Sequence, residues 1–311
     1  MPALPVPRPR RMSPLARREA RWGLLFLSPW VVGFLAFIAV PMIATLVFTF
    51  TNLKLTQTDP LRFVGLDNYA KLISDPQTWD SLRITLTFAA LQLPIAVLVP
   101  FAVALMLNSR SLRGSDLFRV LWFLPYVVPF VAGVLIWQSM LNPDSGWLDQ
   151  LLEAVGVSNP PNWLNDPGFI FPGLLFIGIW GIGGGIIVNL AGLKGIPSEL
   201  YDAAAIDGAG WLGSLRHVTV PLMSPVFLYV IVLGIVDVLQ YFLVPLVLNN
   251  GTGEPGGQTL FYNLQIYKTF FTYQDMSYGA TLAWLLFAVT LLISLVVFRA
   301  SRRWVYYAAE R

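Results

Sequence analysis

The chain has 311 residues, of which 56% are hydrophobic and 12% are charged, whereas a soluble domain carries about 25% charged residues. This deficit indicates a lipid-facing surface, and the absence of cysteine excludes disulfides, thiol catalysis and thiolate metal sites. A net charge of +3 fits nucleic acid or a membrane surface, so the positions of the basic residues must decide between them.

The N-terminal stretch combines prolines with arginines and has no apolar periodicity, which predicts a basic tail without regular structure over residues 1–21. Such a stretch can imitate the n-region of a signal peptide. The apolar run after it, residues 24–50, is too long for a signal peptide and has no small-residue cleavage pattern. We therefore expect an uncleaved first helix.

Six apolar segments are each long enough to cross about 30 Å of hydrocarbon. They are residues 24–50, 84–107, 120–141, 169–193, 222–248 and 279–298. Five contain no charged residue, and the 222–248 segment is interrupted only by Asp237. The pattern predicts an all-α integral membrane protein with one six-helix domain, residues 22–300, and a short tail over residues 301–311. An even number of spans places both termini on one side.

Basic residues are distributed unevenly between the two sides that these spans define. One side holds 15 of the 20 Lys and Arg residues: Arg8, Arg10, Arg11, Arg17, Arg18, Arg21, Arg110, Arg113, Arg119, Lys194, Arg216, Arg299, Arg302, Arg303 and Arg311. The other side holds Lys54, Arg62, Lys71, Arg83 and Lys268. The positive-inside rule predicts that both tails and the 194–221 loop are cytoplasmic. This distribution accounts for all the basic residues without nucleic acid.

The cytoplasmic loop over residues 195–221 contains signals for two short helices. Ser198 follows a proline and is predicted to N-cap the first helix, with acidic residues near its start. The chain is expected to turn sharply at Gly208, a second amphipathic segment carries Trp211, and Pro221 is predicted to begin the fifth span. The pattern favours a compact helix-turn-helix, and an ordinary interhelical loop is the alternative.

Within this loop, Asp202-Ala203-Ala204 is followed by three residues, Gly208, nine residues and then Val218-Thr219-Val220-Pro221. This spacing resembles the EAA loop of ABC-importer permeases: Glu-Ala-Ala, three residues, Gly, nine residues, Ile, any residue, Leu-Pro. Here Asp replaces Glu, and Val replaces both Ile and Leu. The resemblance implies a type I ABC-importer permease fold in which the loop is a coupling helix that docks on an ATPase subunit. The residues implied to take part are Tyr201, Asp202, Ala203, Ala204, Asp207 and Gly208.

Other segments are similar to the carbohydrate branch of that family, specifically to the larger maltose permease subunit. Residues 63–69 (FVGLDNY) resemble its first external loop, and residues 123–129 (FLPYVVP) resemble its corresponding helix. Residues 250–255 (NGTGEP) stand where the branch has a Thr-x-Gly-Gly-Pro turn, and residues 278–284 resemble its last helix. The resemblance covers nearly the whole chain and implies a sugar as the transported solute.

Asp237 is the main candidate for contact with that solute. A carboxylate in the middle of a span costs about 3 kcal/mol, so it should face a partner, the bundle interior or a wet cavity. Gln240 and Tyr241 follow at i+3 and i+4, which would place all three on one helix face. Their acceptors and donors suit sugar hydroxyls, and the resemblance places Asp237 and Gln240 at two sugar-contacting positions. The alternative is an interhelical hydrogen bond to a second permease.

Trp180 is the fourth substrate-binding candidate, because it precedes a glycine-rich run, residues 181–185, that weakens the helix and allows close backbone approach. The pattern predicts an aromatic face that stacks on a sugar ring, and it resembles a Trp region that lines the sugar site of the maltose subunit. Close helix packing is the alternative.

No catalytic residue, metal site or cofactor is predicted in this chain. It has no P-loop string, so ATP and Mg must be bound by separate ATPase subunits. The single histidine, His217, has no cysteine or second histidine nearby to complete a metal site. The external loop over residues 142–168 is acidic and aromatic, and it either meets an external binding protein or caps the helices.

We therefore expect a permease subunit of an ABC importer that moves a di- or oligosaccharide across a bacterial or archaeal plasma membrane. The resemblance implies a homologous second permease, two ATPase subunits and an external solute-binding protein as partners. A proton-coupled secondary transporter is the alternative, with Asp237 as the proton relay, but it predicts more than one buried ionisable residue. A membrane enzyme would need clustered histidines or acids, which the sequence lacks.

Overall fold

The computed structural model describes residues 13–109 and 112–306, and most of these residues are helical. The α-helices, numbered in chain order, are α1 (Pro14–Phe34), α2 (Val40–Phe48), α3 (Asp67–Ser74), α4 (Pro76–Leu107), α5 (Ser115–Val127), α6 (Phe130–Met140), α7 (Trp147–Ala154), α8 (Ile170–Trp180), α9 (Gly183–Lys194), α10 (Ser198–Ile206), α11 (Trp211–Ser214), α12 (Val220–Leu239), α13 (Leu243–Val247), α14 (Tyr262–Tyr267) and α15 (Met276–Ser301).

Four helical segments in the described part of the chain are long and apolar enough to cross a membrane. They are Pro14–Phe48, Pro76–Leu107, Trp211–Gly251 and Met276–Ser301. The predicted third and fourth spans are each a bent pair of helices rather than one continuous helix. The bend between α5 and α6 is 99°, and that between α8 and α9 is 55°. Counting each pair as one span gives the six that the sequence predicts.

The third span breaks because the chain between α5 and α6 cannot continue a helix. Val128 is extended, with φ −65° and ψ 132°, as expected for a residue before proline. Pro129 then begins the next helix as its N-cap. The fourth span breaks in the glycine-rich run, where Gly181 leaves the helical region and α9 begins at Gly183. The predicted weakness of that run is confirmed.

The first helix begins earlier than the sequence predicts. Ser13 Oγ accepts a hydrogen bond from the amide of Ala16 at 3.2 Å, and Pro14 occupies the first helical position, which suits its fixed φ. The expectation of no regular structure up to Arg21 is therefore wrong for residues 14–21. Residues 1–12 of the predicted tail, and residues 307–311 at the other end, lie outside the described residues.

Two spanning helices continue through a proline because a π-helical turn precedes it. The turn Leu35–Ala39 comes before Pro41, and the turn Leu215–Thr219 comes before Pro221. Proline lacks the amide hydrogen and its ring crowds the carbonyl four residues earlier, and the wider π turn relieves that conflict. Pro221 therefore does not begin the fifth span, as predicted from sequence, because the helix already runs from Trp211.

Helix α4 lies at the centre of the bundle and contacts α5, α8, α9, α12 and α14. Its outer half carries three fully buried hydroxyl residues at helical spacing. The Thr78 hydroxyl lies 2.9 Å from Tyr278 Oη, Ser81 donates to Gln265, and Thr85 Oγ1 accepts from the amide of Tyr262 at 2.8 Å. These bonds join α4 to α14 and α15. The first span, by contrast, buries none of its apolar window within this chain.

The loop over residues 142–168, which the sequence predicts to be external, packs over the helices, and this packing supports the capping alternative. Asp149 on α7 is only 4% exposed, and its Oδ1 accepts a hydrogen bond from Trp163 Nε1 at 2.9 Å. The Trp163 ring packs against Phe169 and Phe176 near the start of α8. Contact of this loop with a binding protein stays a prediction.

Candidate functional site

A cavity of 340 Å³ lies where α12 ends, and it brings together three of the four predicted substrate residues. Its lining residues are Asp237, Gln240, Tyr241, Phe130, Phe242, Leu243, Val244 and Asn263. The polar groups are one carboxylate, two amides and one phenol, set among apolar and aromatic side chains. Such a mixture of a few polar groups on apolar walls is typical of small-molecule sites.

The three predicted residues meet for a different reason than the sequence suggests. Helix α12 ends at Leu239, and Gln240 has non-helical dihedral angles, φ −96° and ψ 16°. The predicted common helix face for Asp237, Gln240 and Tyr241 is therefore wrong. A helix continued beyond Leu239 would also lack the bond to the carbonyl of Tyr241, because Pro245 has no amide hydrogen to donate.

Aromatic packing holds Tyr241 in its non-helical position. Its ring centroid lies 5.0 Å from those of both Phe88 and Phe261, which are fully buried. The unwound backbone is also held from the other side, because Asn263 Nδ2 donates to the carbonyl oxygen of Gln240 at 3.0 Å. The cavity wall is thus a fixed loop between α12 and α13 rather than a helix face.

Asp237 is exposed to the cavity in the isolated chain. No hydrogen bond or ion pair to its carboxylate is present among residues 13–109 and 112–306. A carboxylate at membrane depth needs a polar partner or water. A bound solute, water or a second permease could each supply that polar group.

Trp180 does not line this cavity and packs between helices instead. Its ring lies 6.2 Å from that of Trp137 at an interplanar angle of 77°. A Cβ atom added to Gly133 of α6 would lie 2.8 Å from Trp180 Cζ3. The indole therefore fills the space that this glycine leaves, and the geometry favours the packing alternative.

The two broken spans meet at their breaks. Cβ atoms added to Gly183 and Gly184 would contact Tyr126 at 3.3 and 3.1 Å. Phe130, the first residue of α6, lines the same cavity as Asp237. The sequence did not identify Phe130 or Asn263 as lining residues. Pro129 was a signal for Phe130, because a helix that begins after a proline break begins beside the cavity. In membrane transporters, solute sites commonly lie beside such discontinuous helices.

The predicted coupling loop forms a compact pair of helices, the short helix α10 and the first turns of the helix that continues from Trp211 into the fifth span. Helix α10 spans Ser198–Ile206, with Pro197 as the N-cap, so the expected cap by Ser198 is wrong: the extended dihedral angles belong to Pro197. The helix ends in a Schellman motif, in which the Ala209 amide donates to the carbonyl of Ala204 at 2.9 Å and the Gly208 amide to that of Ala205 at 3.1 Å. Gly208 has φ +80°, which confirms the predicted sharp turn.

The predicted coupling residues differ in their exposure. Asp202, Ala203, Asp207 and Gly208 are exposed, whereas Tyr201 and Ala204 are half-buried. The Tyr201 hydroxyl lies 3.0 Å from the hydroxyl of Thr219, which is buried at the base of the fifth span.

Large apolar side chains are exposed around this pair of helices. Ile206 is 87% exposed, Trp211 71% and Leu212 70%. Large exposed apolar side chains outside the membrane-spanning segments are typical of an interaction site. The sequence did not single out Ile206, because an apolar residue at the end of a short helix gives no signal of its exposure.

Comparison with known proteins identifies clear relatives. The family model described as "Binding-protein-dependent transport system inner membrane component" matches residues 93–306. The chain is 31% identical to the trehalose/maltose transport system permease protein MalF of Thermococcus litoralis, with 93% of this chain and 97% of the relative covered. It is 33% identical to the lactose transport system permease protein LacF of Rhizobium radiobacter, with 90% and 94% covered.

A solved structure shares the fold. A chain of a bacterial ABC transporter involved in the import of the acidic polysaccharide alginate matches with a TM-score of 0.80 at 24% identity, covering 94% of this chain and 99% of that one. Another structure of a bacterial alginate transporter, in complex with a pentasaccharide-bound periplasmic protein, matches equally well at 23% identity.

Proposed function

We propose that this chain, which belongs to the family of binding-protein-dependent transport system inner membrane components, is the carbohydrate-translocating permease of an ABC importer. As a family member it is a multi-pass ABC-transporter permease with the type I fold, and it is not an enzyme. Beyond family membership, we propose which solute it carries, in which direction, and how ATP hydrolysis is coupled to transport.

The observation that carries the proposal is the cavity beside the α5–α6 break. Asp237, Gln240, Tyr241 and Asn263 place carboxylate, amide and phenol groups around a space of 340 Å³. Sugar hydroxyls both donate and accept hydrogen bonds, so such a set can satisfy them without water. The curated relatives MalF and LacF are described as permeases for trehalose/maltose and lactose, which supports a di- or oligosaccharide here.

We further propose that the solute is neutral. Asp237 carries the only charge in the cavity lining, and a like charge is repelled strongly in a low-dielectric site. An acidic saccharide such as alginate, which the structural relative imports, is therefore expected to bind poorly to this chain.

The 195–221 loop is proposed to couple ATP hydrolysis to transport. Its exposed apolar residues, Ile206, Trp211 and Leu212, would enter a groove on an ATPase subunit, with Asp202 and Asp207 at the rim. The bond between Tyr201 and Thr219 then transmits movement of α10 to the fifth span, whose far end carries Asp237. Alternating access would follow as the two permeases rock around the cavity.

The assembly proposed is this chain with a homologous second permease, two ATPase subunits and an external solute-binding protein, in a bacterial or archaeal plasma membrane with both termini cytoplasmic. The second permease would cover the first span, whose apolar window is wholly unburied in this chain. A proton-coupled transporter is the weaker candidate, because the family works with ATP-binding partners.

The first test is the ATPase activity of the complex that co-purifies with this chain, reconstituted in lipid with its binding protein. Maltose, trehalose and lactose would be compared with an alginate oligosaccharide. We expect one neutral sugar to stimulate hydrolysis severalfold and to accumulate inside proteoliposomes. Failure of any ATPase to co-purify, together with uptake driven by a proton gradient, would overturn the proposal.

A further inference from the structure

A narrow apolar groove of 270 Å³ runs between α5 and α9, separate from the cavity that contains Asp237. Its apolar walls include Val120, Trp122, Phe123, Ile186, Ile187 and Leu190. The two helices approach closely at Gly183, where an added Cβ would lie 2.7 Å from the carbonyl oxygen of Trp122. An apolar cavity of this size does not hold ordered water stably, so an apolar group is needed to fill it.

One cation lines the groove, and a second follows beyond the groove on α9. Arg119, near the start of α5, is itself a lining residue. Lys194, the last residue of α9, is four residues beyond Leu190 and therefore lies on the same face of that helix, one turn further out. Lys194 is exposed and forms no ion pair within residues 13–109 and 112–306.

The guanidinium of Arg119 has a donor left over. Its Nη1 pairs with Asp116 at 2.7 Å, a carboxylate that is 90% exposed and therefore well screened by water. The side chain is 32% exposed, and its Nη2 lies 3.5 Å from the carbonyl oxygen of Leu107, longer than an ordinary hydrogen bond. Nη2 can therefore donate to a further acceptor, and arginine pairs especially well with phosphate.

We propose that this groove holds an acyl chain of an anionic phospholipid whose phosphate accepts from Arg119 Nη2 and is attracted by Lys194. The charge-free stretch of the third span begins directly after Arg119, so the guanidinium lies at the hydrocarbon boundary. Basic residues at such boundaries attract anionic headgroups. The assignment to the cytoplasmic leaflet rests on the proposed orientation, whereas the site itself does not depend on the transported solute.

The test is native mass spectrometry of the complex released from nanodiscs made of equal parts phosphatidylethanolamine and phosphatidylglycerol. We expect retained phosphatidylglycerol, with occupancy reduced about fivefold by each of Arg119→Gln and Lys194→Gln. Ile187→Trp fills the groove without changing charge and should also displace the lipid. Arg302→Gln, at the same membrane end but outside the groove, is the matched control and should leave retention unchanged.

Equal retention in wild type, Arg119→Gln and Lys194→Gln would overturn the proposal. So would equal loss from Arg302→Gln, because that result indicates only general attraction to a basic surface. The groove could instead be covered by the second permease. In that case the wild type would retain no lipid and Ile187→Trp would reduce assembly of the two permeases, and this result would also overturn the proposal. Sugar-stimulated ATPase activity measured in parallel shows separately whether the proposed function holds.

Discussion

The hydroxyl of Tyr201 on α10 lies 3.0 Å from that of Thr219, which is 3% exposed at the base of the fifth span. This bond joins α10 to the helix that carries Asp237 near its other end. We expect Tyr201→Phe to lower the sugar transported per ATP hydrolysed by roughly fivefold, since one hydrogen bond contributes about 1 kcal/mol. Paired uptake and ATPase measurements in proteoliposomes check this.

Thr219→Val removes the other hydroxyl of the same pair and should give a similar loss, and the double variant should be no worse than either single one. Additive effects of the two substitutions would show that the residues act independently and that the bond does not carry the coupling.

Two neighbouring glycines offer a matched test of the turn after α10. Neither would bring a Cβ within 4 Å of another residue, but Gly208 has φ +80° whereas Gly210 has φ −73°. Gly208→Ala should therefore strain the turn by about 1 kcal/mol or more and reduce coupling, while Gly210→Ala, which needs no positive φ and loses only a favoured N-cap residue, should cost less. Gly208→Asn should retain more activity than Gly208→Ala, because asparagine tolerates the left-handed region. Equal effects of the two alanine variants would contradict this account.

Asp237 is predicted to set the response to sugar. We expect Asp237→Ala to raise the sugar concentration needed for half-maximal ATPase stimulation by about tenfold or more, since a hydrogen bond to a charged group contributes about 1.5–3 kcal/mol. Basal ATPase activity and the yield of complex should stay unchanged. If Asp237→Ala instead causes the second permease to be lost on purification, with no shift in the sugar response, the partner of Asp237 lies in that permease.

Gly133 and Trp180 test whether the indole packs or binds solute. Gly133→Ala places a Cβ 2.8 Å from the Trp180 ring, so we expect a loss of about 1–3 kcal/mol of stability from overpacking, seen as a lower melting temperature in detergent. Gly181→Ala, whose Cβ would have no neighbour nearer than 3.9 Å, is the control. Adding Trp180→Leu to Gly133→Ala should recover much of the stability. A sugar response shifted by Trp180→Leu as strongly as by Asp237→Ala would show instead that the indole contacts solute.

Local sequence signals predicted the parts of the site that depend on local chemistry. Gly208 was expected to turn the chain, and it does so because only a residue without Cβ adopts φ +80° readily. The polar set at Asp237, Gln240 and Tyr241 was expected to share a site, and those residues do line one cavity. The helix face expected to connect them does not form, because α12 ends at Leu239 before Gln240 and Tyr241.

The sequence by itself determined the membrane class, the six spans and the compact helical loop, since these follow from segment length, charge and spacing along the chain. Only the tertiary structure decided that Tyr241 packs between Phe88 and Phe261 and that Trp180 fills the space beside Gly133. Phe88 and Gly133 are both distant in sequence from the rings that they contact. Close packing among such distant residues fixes the positions of these two rings, and no local pattern specifies it.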